Sequence, residues 1–104
     1  MFARHVSIHL KSNMLSDYTR TFENDTLPLL RQQKGFKDEI TLSNPGSLDV
    51  IAISLWESKA NAEAYNTNTY PQVLKTLERM IDGAPKVQTF EAVTSTFHKL
   101  AVAA

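Results

Sequence analysis

Apolar residues alternate along positions 2–10. Phe2, Val6, Ile8 and Leu10 fall on one side, and Ala3, His5, Ser7 and His9 on the other. This period of two predicts a strand with one strongly apolar face. Arg4 interrupts that face near the chain end, where it is expected to reach solvent. From Met14 the period lengthens: Met14, Leu15, Tyr18 and Phe22 recur at helical spacing, with Ser12 or Asn13 as the expected cap. Pro28 lacks an N–H and crowds the preceding turn. It predicts a kinked helix or two helices in series, with Asn24-Asp25-Thr26 capping the second and an end before Gly35.

Phe36 to Leu42 predicts a second strand and Ser43-Asn44-Pro45-Gly46 its turn. Leu48 to Trp56 predicts a third strand, making a hairpin with the second. Its run Val50-Ile51-Ala52-Ile53 is apolar on both faces, which places it centrally with both sides covered. Ser58 can cap a helix over Lys59–Tyr65, interrupted at Asn66-Thr67-Asn68-Thr69. Pro71 suits the first turn of a further helix, in which Tyr70, Val73, Leu74, Leu77, Met80 and Ile81 share one face. Asp82-Gly83-Ala84-Pro85 stops it. Lys86 to Phe97, rich in Val, Thr and Phe, predicts the last strand, and residues 101–104 a frayed tail. The order β-α-β-β-α-β defines an α+β, ferredoxin-like fold: a four-stranded antiparallel sheet with helices on one face. Residues 1–100 are expected to form one domain. The two-sided third strand asks for a cover on the sheet's other face, and a homodimer packed sheet to sheet supplies one.

Composition narrows the chemistry. Eleven basic and eleven acidic residues cancel, and the basic ones are scattered. No nucleic-acid partner is expected, because such binding needs a basic excess or stripe. Cysteine is absent from all 104 residues, which excludes disulfides, thiolate nucleophiles and cysteine-based metal sites. No apolar run approaches the roughly 20 residues that span a bilayer, and the N-terminus does not read as a signal peptide. The expectation is a cytoplasmic protein with no membrane partner.

Three stretches carry a family resemblance: Leu27-Pro28-Leu29-Leu30-Arg31-Gln32-Gln33-Lys34-Gly35-Phe36, Leu55-Trp56-Glu57-Ser58-Lys59-Ala60 and Pro85-Lys86-Val87-Gln88-Thr89-Phe90-Glu91. Together they resemble the antibiotic biosynthesis monooxygenase (ABM) family of dimeric α/β barrels. The resemblance implies a homodimer. It also implies either cofactor-independent oxygenation of quinols and anthrones or haem degradation. The haem-degrading pattern places Asn, Trp and His where this chain has Val6, Tyr65 and Lys75. A protonated lysine is a poor iron ligand, so haem chemistry is not expected and no cofactor is. For the anthrone-oxidising branch, Asn61, Tyr65 and Tyr70 are the residues that can surround an aromatic substrate.

The remaining candidates follow from residue type. His5 and His9 share a strand face, but four strand residues span roughly 13 Å, too far for one metal ion. Each is either an interface histidine or a general base. His98, beside Lys99 at the end of the last strand, is expected in solvent. Trp56 reads as a packing anchor or a ligand platform. Tyr18, Phe22, Tyr65 and Tyr70 form either core or an aromatic-walled cleft with polar tips. Asp38 and Glu39 should point to opposite faces of their strand. The leading expectation is a monooxygenase for a small aromatic or quinol ligand. His9 or Tyr65 would handle protons, and Tyr18, Phe22, Trp56, Asn61 and Tyr70 would contact substrate. A non-catalytic small-molecule-binding domain and a dimeric-barrel isomerase or lyase are the alternatives.

Overall fold

The computed structural model describes residues 1–100. The elements are β1 (Phe2–His9), α1 (Leu15–Thr21), α2 (Leu27–Arg31), β2 (Phe36–Ser43), β3 (Asp49–Trp56), α3 (Lys59–Asn68), α4 (Tyr70–Leu77) and β4 (Lys86–Glu91). The strands form one antiparallel sheet in the order β2-β3-β1-β4. This is the expected ferredoxin-like α+β arrangement. The expected frayed tail, residues 101–104, lies outside the described residues.

β1 and β3 occupy the centre, and strand alternation divides their side chains between two faces. Arg4, Val6 and Ile8 of β1 and Val50, Ser54 and Trp56 of β3 are buried against the helices. The other face carries Ala3, His5 and Ser7 beside Leu55, Ile53 and Ile51, in register. It continues onto β2 through Ile40 and Leu42 and onto β4 through Phe90. Ile40 and Phe90 are each about half exposed. The apolar run of β3 is therefore central, as its composition predicts, but among the described residues one of its two faces has no layer over most of its area.

Trp56 fixes the junction between β3 and α3. It is fully buried, and its indole N–H donates to Ser54 Oγ at 2.9 Å. Its ring packs edge-on to Phe36 at 5.6 Å and tilted on Tyr65 at 5.0 Å. Ser58 caps α3 as expected, accepting from the Asn61 N–H at 3.2 Å. Gly35 lies beside this junction with φ +81°, and its carbonyl accepts from the Glu57 N–H at 2.7 Å. A Cβ on Gly35 would sit 2.3 Å from Asn61 Oδ1, so only glycine fits both the backbone and the space.

Several expectations are corrected. Arg4 does not reach solvent: it is 3% exposed and faces the helices. Its long stem places the guanidinium between two tyrosine rings rather than beyond the sheet end. The helix before α2 is not capped by Ser12 or Asn13; Met14 occupies the cap position without a side-chain bond, and Asn13 takes φ 62°. No cap interrupts the chain at Asn24–Thr26. Phe22–Thr26 is instead one π-helical turn, with the Leu27 N–H bonded five residues back to the Phe22 carbonyl. The wider turn absorbs the irregularity ahead of Pro28. α3 does not stop at Tyr65; it runs to Asn68, and the Thr69 N–H closes the last turn on the Tyr65 carbonyl. α4 tightens into a 3-10 turn at Glu78–Met80, leaving Ile81 in a bridge to Leu10.

The last strand ends at Glu91 rather than Phe97. Glu91 pairs with Phe2, the first residue of β1, so β4 runs out of partner there. The chain beyond it brings Phe97 beside Ile40, Ile53 and Leu55, and His98 pairs with Asp38 on β2. His98 is accordingly only partly exposed.

Replacing Trp56 with alanine should lower the unfolding free energy by about 3–5 kcal/mol, read from urea denaturation. A cost near zero would mean that the junction is not the anchor described.

Candidate functional site

Between the helical layer and the sheet lies a cavity of about 40 Å³. That volume holds a few waters; an apolar cavity that binds benzene is on the order of 150 Å³. Its lining is mostly apolar, with Val6, Ile8, Leu30, Val73 and Leu77 among the contributors. Arg4, Ser54 and Glu39 enter from the sheet, and Tyr18, Phe22, Tyr65 and Tyr70 from the helices. Tyr18, Phe22 and Glu39 also line an adjoining groove of about 370 Å³ with Leu15, Thr19, Ile40 and Thr41. These three side chains are the partition between the small cavity and the larger groove.

The sheet register explains where the polar groups stand. Arg4 pairs with Ser54 across β1–β3, and Glu39 pairs with the same Ser54 across β2–β3. Arg4 and Glu39 thus project toward the helices from strands flanking β3, with backbones roughly 10 Å apart. No ion pair joins them. The Arg4 Nη2 donates to Asn66 Oδ1 at 2.7 Å. Its guanidinium carbon lies 4.0 Å from the Tyr70 ring centre and 5.2 Å from that of Tyr65. Cation–π attraction of this kind strengthens when water is excluded.

Burial acts on each titratable group. It pulls the Arg4 guanidinium below its ordinary value, against the opposing influence of Tyr65 and Tyr70; arginine nevertheless stays a cation. It pushes the Tyr65 hydroxyl up to about 12, with Arg4 acting in the opposite sense. Tyr70 is raised for the same reason. Tyr18 is raised furthest, by burial and then by the nearby Glu39 carboxylate. Among the described residues the buried Tyr18 hydroxyl has no hydrogen-bond partner, a costly state in an apolar interior. Burial also raises Glu39, opposed by a hydrogen bond from Thr41 Oγ1 at 2.7 Å.

Of the residues singled out in the sequence, Tyr18, Phe22, Tyr65 and Tyr70 meet at this cavity. Tyr18 stacks on Phe22 at 5.8 Å, and Tyr65 meets Tyr70 at 6.1 Å. Trp56 stands behind Tyr65 and does not line the space. Asn61 is engaged with Ser58 and Gly35 at the start of α3. His9 lies on the far face of the sheet, half exposed, and its Nδ1 is 2.8 Å from Asp49 Oδ1. That contact, then one from Ser47, holds Asp49 below the usual carboxylate range. Lys75 is on the exposed side of α4. Arg4, Glu39 and Ser54 were not foreseen. A lone arginine in an otherwise apolar strand row was the available signal for Arg4. Glu39 offered no comparable one, since its surroundings come from β3 and α1.

No protein-family model matches the chain, and no curated protein does. Solved structures do match in fold. SnoaB, a cofactor-independent oxygenase from Streptomyces nogalater, superposes with a TM-score of 0.76 at 11% identity, covering 91% of this chain and 95% of that one. A candidate antibiotic biosynthesis monooxygenase from Bordetella bronchiseptica gives 0.76 at 14% identity over 89% and 97%. The NE2512 protein of Nitrosomonas europaea, of unknown function, gives 0.72 at 17% identity over 98% and 95%. The chain therefore has the fold shared by structures named as antibiotic biosynthesis monooxygenases.

The raised pKa of Glu39 has a stability consequence. Its folded form binds the proton more tightly than the unfolded chain does. The contribution is fully present below the unfolded pKa and is lost as pH rises through the raised folded value. Glu39→Gln should therefore gain on the wild type as pH climbs from about 4 toward 7, measured by urea unfolding across that range. A stability difference that does not change with pH would contradict the burial of this carboxyl.

Proposed function

We propose that the protein is a cofactor-independent monooxygenase for a small hydroxylated aromatic substrate. The observation that carries this reading is the cavity walled by Tyr18, Phe22, Tyr65 and Tyr70, with a few polar groups among apolar ones. Flat aromatic walls with sparse polar tips suit a planar ring. The fold likeness to SnoaB, described as a cofactor-independent oxygenase, supports it. In such a reaction the deprotonated substrate supplies the electrons. One oxygen atom of O2 enters the substrate, and the other leaves as water with the two hydrogens the substrate gives up. The protein contributes orientation and exclusion of water. Tyr65, a neutral phenol up to about pH 12, acts as a hydrogen-bond donor to the substrate. A ring enters by displacing Phe22 and Tyr18 toward the adjoining groove.

The cavity's size favours a second reading, a non-catalytic small-molecule-binding domain, since water-sized space in the resting state suits slow uptake and retention. Oxygen consumption separates the two. The leading reading expects uptake with one or more members of a hydroquinone, naphthol and anthrone panel. Binding of those compounds without oxygen uptake would sink it in favour of the second.

The same proposal includes a homodimer closed over the bare sheet face. Ile40, Leu42 and Phe90 are exposed there, a patch of the kind that marks an interface. The buried His5 Nδ1 on that face has no partner among the described residues, and a second copy would supply one; His9 belongs to the rim of this contact. Light scattering at micromolar concentration should give twice the chain mass, and Ile53→Glu should halve it. A wild-type monomer would contradict the dimer.

A further inference from the structure

The groove that adjoins the cavity has chemistry of its own. It holds about 370 Å³, within the roughly 300–1,000 Å³ usual for ligand sites. Glu23 and Glu39 stand in its wall, and no lysine, arginine or histidine lines it. Neither carboxylate is in an ion pair among the described residues. Burial raises Glu39, and the influence that opposes it is the Thr41 hydroxyl, with no cation contributing. A groove lined by one sign of charge concentrates ions of the other sign.

The hydroxyls of the wall point the same way. Thr19 Oγ1 donates to the Leu15 carbonyl at 2.8 Å, and Thr41 Oγ1 donates to Glu39 Oε2 at 2.7 Å. Each has used its hydrogen, so each can only accept from a ligand. Thr41 lines the groove and not the smaller cavity, so this bond keeps the Glu39 carboxylate on the groove's side. Tyr18 gives an independent sign. It is 1% exposed, and its hydroxyl has no hydrogen-bond partner among the described residues. After burial, the Glu39 carboxylate is the strongest influence on that hydroxyl, which puts the two groups side by side in the groove wall. A buried hydroxyl left empty costs free energy, and an N–H donor seated at Glu39 would reach its oxygen. Leu15, Phe22 and Leu27 make the apolar part of the lining.

We propose that this groove binds an amphipathic primary amine as its ammonium ion, the head against Glu39 and Tyr18 and the apolar body along Leu15, Phe22 and Leu27. An ammonium brings one positive charge and three N–H donors on a single atom. Those donors match the carboxylate, the Tyr18 hydroxyl oxygen and one threonine oxygen. Binding is non-covalent, and the amine keeps its proton. The site goes beyond the aromatic cavity and does not depend on oxygen chemistry.

The probe is phenethylamine, titrated by calorimetry into the full chain at about pH 8, where the amine is a cation and carboxylates are ionised. Saturable binding is expected. 2-Phenylethanol, which has a hydroxyl in place of the ammonium, should bind at least about tenfold more weakly, and 3-phenylpropionate should not bind. Glu39→Gln should weaken phenethylamine by about tenfold to a hundredfold, as loss of a charged hydrogen bond does, and Tyr18→Phe by about fivefold. Neither change should alter the affinity for 2-phenylethanol by as much. Amide chemical shifts should move at Leu15, Thr19, Glu23 and Thr41. Circular dichroism reports folding; if Glu39→Gln does not fold, Tyr18→Phe reads the same contact. No saturable binding to the wild type overturns the proposal. So does equal affinity for the amine and the alcohol, or an amine affinity unchanged in both variants. Shifts concentrated at Val73 and Leu77 of the cavity, with none at Thr19 or Thr41, overturn it as well. Oxygen uptake with the aromatic panel is read separately, so either reading can fail alone.

Discussion

The structure hangs on one chain of stacked groups that crosses from sheet to helices. Phe36 packs on Trp56, Trp56 on Tyr65, Tyr65 on Tyr70, and Tyr70 on the Arg4 guanidinium. These five residues come from β2, β3, α3, α4 and β1. Aromatic and cation–π contacts have geometric preferences as well as area. The stack therefore does more than fill volume: it sets how α3 and α4 sit over the central strands. At one end it closes the fold, with Trp56 wholly dry. At the other it delivers a positive charge to a cavity.

That arrangement accounts for the local sequence around it. Ser54 satisfies the indole N–H from two residues away on the same strand face. Gly35 lets Asn61 and the start of α3 pass close to the end of α2. Asn66 follows Tyr65 in the part of α3 that runs on to Asn68, and its Oδ1 accepts the Arg4 N–H. The partition at the other side of the cavity is built on a π-helical turn, which carries Phe22. Helical segments of this type recur at functional sites, and here the turn carries a residue that lines both the small cavity and the adjoining groove.

Much of the fold was legible because it depends on short-range pattern. Alternation in β1, the two-faced run Val50–Ile53 and the Ser58 cap needed only local spacing. The four aromatics of the cavity were also visible: Tyr18 and Phe22 fall in one helical run and Tyr70 opens another, with Tyr65 just before it. Arg4 was misjudged because local pattern treats a charge near a strand end as free to reach water. Its burial depends on Tyr65 and Tyr70, more than sixty residues away in the chain. The end of β4 was missed for a related reason: a strand stops where its partner begins, and that register is not written in its own residues. Glu39 gave no signal, because its environment comes from Ser54 and Tyr18, which the alternation of β2 does not reveal.

The central claim is that the space beside Arg4 is a binding site for a ring rather than a packing fault. The most direct measurement is a crystal structure of the protein with a bound naphthol. The account predicts the ring between Tyr18 and Tyr70, its oxygen within hydrogen-bonding distance of Tyr65, and Phe22 displaced toward the groove it shares with Glu39. A naphthol found only on the outer sheet face, with the Arg4 cavity closed and unchanged, would contradict it.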